Sequence, residues 1–260
     1  MSIHIDDINT VLDALPPITL DEMKGIRLMD RVDSKFVAPA FMLPDLLRNM
    51  AEQFKVQTHD GVRLASYTTQ YFDTPALDMY MMHHNGKLNR QKIRIRSYVE
   101  SNLSFLEVKN KNNKGRTKKK RVPVASSHLT SIHDLHDEKT FLSQYSLFDS
   151  NTLVPVLANE FQRITLVNNK ATERITIDAG LLFMNYKTGI ETKLDKLVVL
   201  ELKQDGQQHS DFKDILLRYR IKKSSFSKYC IGTMLTNPHV KNNRFKKQWI
   251  LINKKTHDTI

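Results

Sequence analysis

Gln91-Lys92-Ile93-Arg94-Ile95-Arg96-Ser97-Tyr98 alternates without a break, placing Ile93 and Ile95 on one face and Arg94 and Arg96 on the other. A period of two is that of a β-strand, whose successive side chains point to opposite sides. The same writing recurs along the chain. Phe105-Leu106-Glu107-Val108-Lys109 sets Leu106 and Val108 opposite Glu107 and Lys109. After a turn-like Asn112-Asn113-Lys114-Gly115, residues 117–124 carry Lys119 and Arg121 on one parity. Residues 173–178 oppose Arg174, Thr176 and Asp178 to Ile175 and Ile177, and residues 197–203 place Glu201 and Lys203 opposite Val198, Leu200 and Leu202. Five strands thus present ionisable groups on one face and aliphatic groups on the other.

The charge is concentrated. The chain has 260 residues and a formal net charge of +12. Lys87 to Arg121 holds 13 basic residues and two acidic ones, and Lys241 to Lys255 holds six basic residues and no acid, so the remainder is net negative. A field gathered in this way points to a polyanionic partner: nucleic acid, an anionic membrane or a phosphate chain. With 40% hydrophobic and 26% charged residues, eight Gly and eight Pro, the composition is globular and excludes a fibrous or low-complexity protein. One cysteine, Cys230, excludes a disulfide scaffold and a cysteine-built zinc site. No apolar run reaches the roughly 20 residues of a membrane helix, and Met1 to Asp13 lacks the basic-then-apolar order of a signal peptide. A cytoplasmic protein is expected.

Alternation has two readings. The charged face is the solvent face of antiparallel sheets, or it lines the inside of a sheet closed on itself with helices packed outside. Helical segments to cover an apolar outer face are read at residues 39–53, 76–84, 211–219 and 226–235. There is no Gly-x-x-x-x-Gly-Lys loop and no dinucleotide fingerprint. His83-His84 and His133-x-x-His136 lack converging acids or cysteines and are read as a helix surface and a loop rather than metal sites.

Several stretches in order carry a family resemblance: Arg31 with Asp33-Ser34-Lys35-Phe36, Tyr71-Phe72-Asp73-Thr74, Arg94-Ile95-Arg96, Phe105-Leu106-Glu107-Val108-Lys109, Lys119-Lys120-Arg121, Arg174-Ile175-Thr176-Ile177-Asp178, Val199-Leu200-Glu201-Leu202-Lys203 and Phe226-Ser227-Lys228-Tyr229. From about Leu28 to Gly232 the chain resembles the catalytic domain of the vacuolar transporter chaperone (VTC) polyphosphate polymerases and their bacterial relatives, within the CYTH-like triphosphate tunnel metalloenzymes. The resemblance implies an α+β fold, an antiparallel eight-stranded β-barrel tunnel with helices outside. It divides the chain into an N-terminal segment 1–27, a tunnel domain 28–236 and a basic tail 237–260, read as a helix on the barrel. It implies ATP and polyphosphate as partners and Mn²⁺ or Mg²⁺ as cofactor, with nucleic acid disfavoured because the basic strands offer mainly aliphatic neighbours rather than aromatics.

By the same resemblance Lys35, Arg94, Arg96, Lys109 and Lys228 are the catalytic positions. Lys119, Arg121, Arg163, Arg174 and Lys203 bind substrate, Arg163 through the stretch Asn159-Glu160-Phe161-Gln162-Arg163. Glu201 and Glu107 are the metal positions, with Glu107 read equally well as a cross-strand partner of a cation. Asp178 is read as a salt-bridge or turn residue rather than a ligand, and Lys118 and Lys120 as facing outward. Guanidinium forks bind phosphate oxygens directionally and lysine acts as a point charge. Arg31-Val32-Asp33-Ser34-Lys35 carries one acid where hydrolytic relatives place two glutamates, which favours a one-metal polymerase or a phosphate binder over a two-metal hydrolase. Ser224-Ser225 stands where the polymerases place a further lysine. A hydrolase of triphosphate or polyphosphate, and a non-catalytic binder of polyphosphate or RNA, are the alternatives.

Overall fold

The structure, a computed structural model, describes residues 5–26, 31–125, 132, 136–206 and 208–257. His133 lies outside them. Eight long antiparallel strands form one sheet: β2 (Arg31–Pro39), β4 (Ala65–Asp73), β5 (Arg90–Tyr98), β6 (Leu103–Lys111), β7 (Thr117–Val124), β8 (Val154–Asn168), β9 (Glu173–Asn185) and β11 (Leu197–Asp205). Their order is β2-β11-β9-β8-β4-β5-β6-β7, with the two-residue β12 (Lys223–Ser224) on the outer edge of β2. Short strands add to the margins. β1 (Pro17–Thr19) runs parallel to β3 (Phe54–Thr58), β3 pairs with β8, and β10 (Glu191–Leu194) pairs with β9.

The eight strands are present, but the expected barrel is not closed. Among the described residues no backbone ladder joins β7 to β2 or β12, so the sheet is an open trough. Chemistry at the edges accounts for this. β7 carries Lys118, Lys119, Lys120 and Arg121 in succession and the opposite edge carries Lys35, Lys222 and Lys223. Apposing these rows sets like charges side by side, and lysine-rich edges are a standard guard against strand pairing. At the other edge the chain leaves β12 after two residues to enter α7 (Lys228–Thr236).

Apolar residues of the outer face make the core. Phe36, Ile164, Leu166, Ile175, Ile177, Val198, Leu200 and Leu202 are buried beneath α1 (Ile5–Asp13), α3 (Leu43–Met50) and α6 (Asp211–Arg218), through Ile8, Leu12, Leu43, Leu46, Leu47, Phe212 and Ile215. On the other half, Ile93, Ile95, Leu106 and Val108 pack with Phe141 and Leu142 of α5 (His136–Tyr145). The helices read from sequence are found in shorter form, α3 preceded by a 3₁₀ turn at Ala40–Met42, along with α4 (Asp78–His84), α6 and α7. The tail is α8 (Lys246–His257), which buries Ile252 and leaves Trp249 and Ile250 partly exposed. His84 departs from its reading as surface: it is buried, edge-on to Phe245 and hydrogen-bonded to Asn243 at 2.9 Å.

Helix α7 lies within the trough. Tyr229 stacks on Tyr71 of β4 at 5.1 Å between ring centroids. Gly232 passes so close to β8 and β9 that a Cβ there would stand 2.7 Å from Leu157 and closer still to Phe183. Glycine at that position lets the helix seat against the sheet.

Candidate active site

Strand register puts the ionisable residues on one face. Arg94 opposes Glu107 and Lys92 opposes Lys109 across β5 and β6; Glu107 opposes Arg121 and Lys109 opposes Lys119 across β6 and β7. Arg163 of β8 opposes Asp178 of β9; Lys203 of β11 opposes Arg174 of β9 and Asp33 of β2; Glu201 opposes Lys35. Lys228 enters the same face from the first turn of α7. The twelve residues named from sequence therefore share the concave side. Outward parity holds for Lys120, whose ammonium lies over the Tyr145 ring at 5.5 Å.

Three carboxylates organise the cations, each holding two. Glu107, fully buried, accepts from Arg94 at 2.6 and 2.8 Å and from Lys119 at 2.8 Å. Asp178 accepts the Arg163 fork at 2.6 and 2.8 Å and also Lys228. Glu201 accepts Lys35 at 2.9 Å and stands 3.8 Å from Lys203. Burial pushes all three carboxyls up, and the surrounding cations outweigh it, so each is held well below the usual carboxylate range. Asp178 is thus a salt-bridge residue.

Among the described residues Arg96 and Lys109 have no such ion pair. Arg96 makes one long contact to Thr69 Oγ1 at 3.4 Å and lies 5.7 Å from the centroids of Tyr67 and Phe161. Burial, with Arg94 and Arg163 nearby, lowers it to about 10. Lys109 is pushed well below its ordinary value by Arg94, by burial and by Arg96. Lys228 is lowered to about 7, chiefly by burial. Ser227, three residues beyond β12 on the β2 edge, accepts from Lys92 of β5 at 2.8 Å, so the trough curls until its walls approach.

Sequence reading missed three features of this face. Lys92 shares the parity of Arg94 and Arg96 and reaches Ser227 Oγ at 2.8 Å; its place in Lys92-x-Arg94-x-Arg96 was the available signal. Tyr67, Phe161, Tyr98 and Phe105 form a row of rings with centroids 5.0 to 6.0 Å apart at successive contacts, so aromatics do accompany the cations. Arg121 lies 4.4 Å over Phe105, and Lys228 lies 3.8 Å over Phe161. Asp73 is buried and accepts from the amides of Thr74, Met79 and Tyr80 and from the Tyr229 hydroxyl, joining β4 to α4 and α7.

The two expected metal positions differ in chemistry. Glu107 has no free oxygen for a cation, since Arg94 and Lys119 engage both and no solvent reaches it. Glu201 is partly open, its side chain 20% exposed. Among the described residues no cluster of three or more His, Cys, Asp or Glu surrounds either one. That donor set fits Mg²⁺ or Mn²⁺ held by one carboxylate together with oxygens from outside the protein, not an all-protein cage.

Among the described residues no helix is long and apolar enough to cross a membrane. Comparison with the curated proteins finds no match. Solved structures resemble the chain at low identity. A candidate adenylyl cyclase from Hippeastrum, reported to have a dominant triphosphatase activity, is 13% identical, with a TM-score of 0.49 over 80% of this chain and 97% of that one. A candidate adenylate cyclase from Vibrio parahaemolyticus is 9% identical, with a TM-score of 0.44 over 78% and 97%. The RNA triphosphatase Pct1 of Schizosaccharomyces pombe is 8% identical, with a TM-score of 0.31 over 97% and 94%. The VTC domain model matches residues 30–237, the span from β2 to the end of α7 that builds the cation-lined trough, and the chain belongs to the VTC domain family.

Proposed function

We propose that the protein lengthens polyphosphate by moving the γ-phosphoryl group of ATP onto the terminal phosphate of a chain held in the trough. One observation carries the reading: on a face where Glu107, Asp178 and Glu201 each hold two cations, Arg96, Lys92 and Lys109 make no ion pair among the described residues. Uncompensated cations placed together by strand register raise the energy of the ligand-free protein, and a linked oxyanion removes that cost.

Phosphoryl transfer asks the protein for in-line alignment and charge neutralisation rather than covalent chemistry. Arg94 and Arg96 on one strand, about 7 Å apart, supply guanidinium groups to grip neighbouring phosphates, and Arg163, its fork held by Asp178, adds its charge to the wall beside them. Lys35, Lys109, Lys119 and Lys228 supply point charges around them. An oxygen of the terminal phosphate, already an anion, attacks the γ-phosphorus as the bond to the β-phosphate oxygen breaks, and ADP leaves. No side-chain base is needed. Glu201 would hold a divalent ion, whose charge would offset that of the transferring phosphate and the leaving group.

Incubation of the protein with ATP and Mn²⁺ tests the reading. ADP together with long-chain polyphosphate is the expected product pair, and Glu201→Gln is expected to lower turnover. Release of orthophosphate alone would assign a hydrolase, and binding of polyphosphate without turnover would assign a carrier.

A further inference from the structure

Lys92 and Lys109 stand directly opposite each other on β5 and β6, on the concave face. Like charges in facing positions of a ladder destabilise a sheet. Neither makes an ion pair among the described residues: the hydrogen bond of Lys92 goes to the neutral Ser227 hydroxyl at 2.8 Å, and the fields of Glu107 and Glu201 only partly offset Lys109. The Lys109 ammonium makes no hydrogen bond or ion pair among the described residues. The nearby carboxylates, Glu107 and Glu201, are engaged by Arg94, Lys119 and Lys35. Lys92 also extends the row of Arg94 and Arg96 by one step of about 7 Å along the same strand, to where the chain enters α7.

We propose that Lys92 and Lys109 form a phosphate subsite of their own, which takes a phosphate group of the linked chain beyond those gripped by Arg94 and Arg96. The proposal rests on the polyphosphate reading of this face and adds the residue that extends its row. Two lysines suit such a place: an ammonium binds phosphate oxygens without the fixed geometry of a guanidinium fork, so a chain can be held there and still advance. Burial of Lys92, and the field of Arg94 together with burial at Lys109, lower both lysines from their ordinary values, and a bound phosphate reverses that shift.

Calorimetric titration of linear polyphosphate into the intact protein tests this, with melting temperatures recorded for every variant. Lys92→Met is expected to weaken binding about tenfold, the loss of one charge-assisted contact, and to reduce the slope of log affinity against log salt by about one. Ser227→Ala removes the latch but keeps the charge, and its affinity should stay within about twofold of the parent. Unchanged affinity in Lys92→Met would overturn the proposal, as would an equal loss in Ser227→Ala, which would assign the effect to the latch. Should the parent not bind, or should Arg96→Met bind as the parent does, the reading of the whole face fails, a result separable from failure at Lys92 alone.

Discussion

At the residue scale the trough separates cations that stabilise the fold from cations that await a ligand. Arg163 belongs to the first group: its fork to Asp178 is buried on both sides. Arg163→Met leaves Asp178 with Lys228 alone, and breaking a buried pair of this kind costs about 3 kcal/mol, to be read from denaturant unfolding. Arg96 belongs to the second. Arg96→Met removes a buried cation without a carboxylate, so the ligand-free melting temperature should rise while polyphosphate affinity falls; a fall in both would place Arg96 in the structural group. Lys228 gives a pH signature. Its folded value of about 7 lies below that of a free lysine, so the folded protein binds fewer protons than the unfolded one between that value and about 10.4. The Lys228 contribution to stability therefore rises with pH across this window. Phosphate binding favours the ammonium, so above pH 7 binding takes up a proton, and affinity should fall by up to about tenfold per pH unit. Titrations in buffers of different ionisation enthalpy measure that uptake, and Lys228→Met should reduce it near pH 7, leaving the share of Lys92 and Lys109.

At the element scale, α7 is the part on which the site depends. Its N-cap Ser227 and first two residues, Lys228 and Tyr229, are held by Lys92 of β5, Asp178 of β9 and Asp73 of β4 respectively, and Gly232 seats the helix body. Gly232→Ala drives a methyl group into Phe183 and Leu157, an overpacking cost of about 1–3 kcal/mol, and displaces Lys228 with the helix. Loss of both thermal stability and polyphosphate affinity is expected, whereas an unchanged melting temperature would show that α7 has room to move. Strands were legible where their alternation was sharp: β5, β6, β7, β9 and β11 all appear with the parity read from sequence. β4 and β8 were harder to see, because Thr69, Gln70, Tyr71 and Phe72 are all buried and few charges mark a face. Tyr67 and Phe161 on these two strands were missed for the same reason. The docking of α1 was also missed, although Ile8, Val11, Leu12 and Leu15 form an apolar stripe at helical spacing.

At the scale of the whole molecule, one charged face built from strands far apart in sequence was legible, because parity alone sorts side chains to faces. Closure was not legible, since it depends on whether the two edge strands pair, and the lysines on both edges oppose that. Long-range partnerships were also out of reach. The Asp73–Tyr229 bond spans 156 positions, and nothing in local spacing announces it. Lys92, by contrast, was available on the same arithmetic as Arg94 and Arg96. The most direct test of the trough as a phosphate-binding face is a crystal structure with tripolyphosphate. Phosphates ordered between Arg96, Lys109 and Lys92 are the predicted result. Phosphates on the tail residues Lys241 to Lys255 or along the outer face, with the trough still bridged by its own carboxylates, would contradict it.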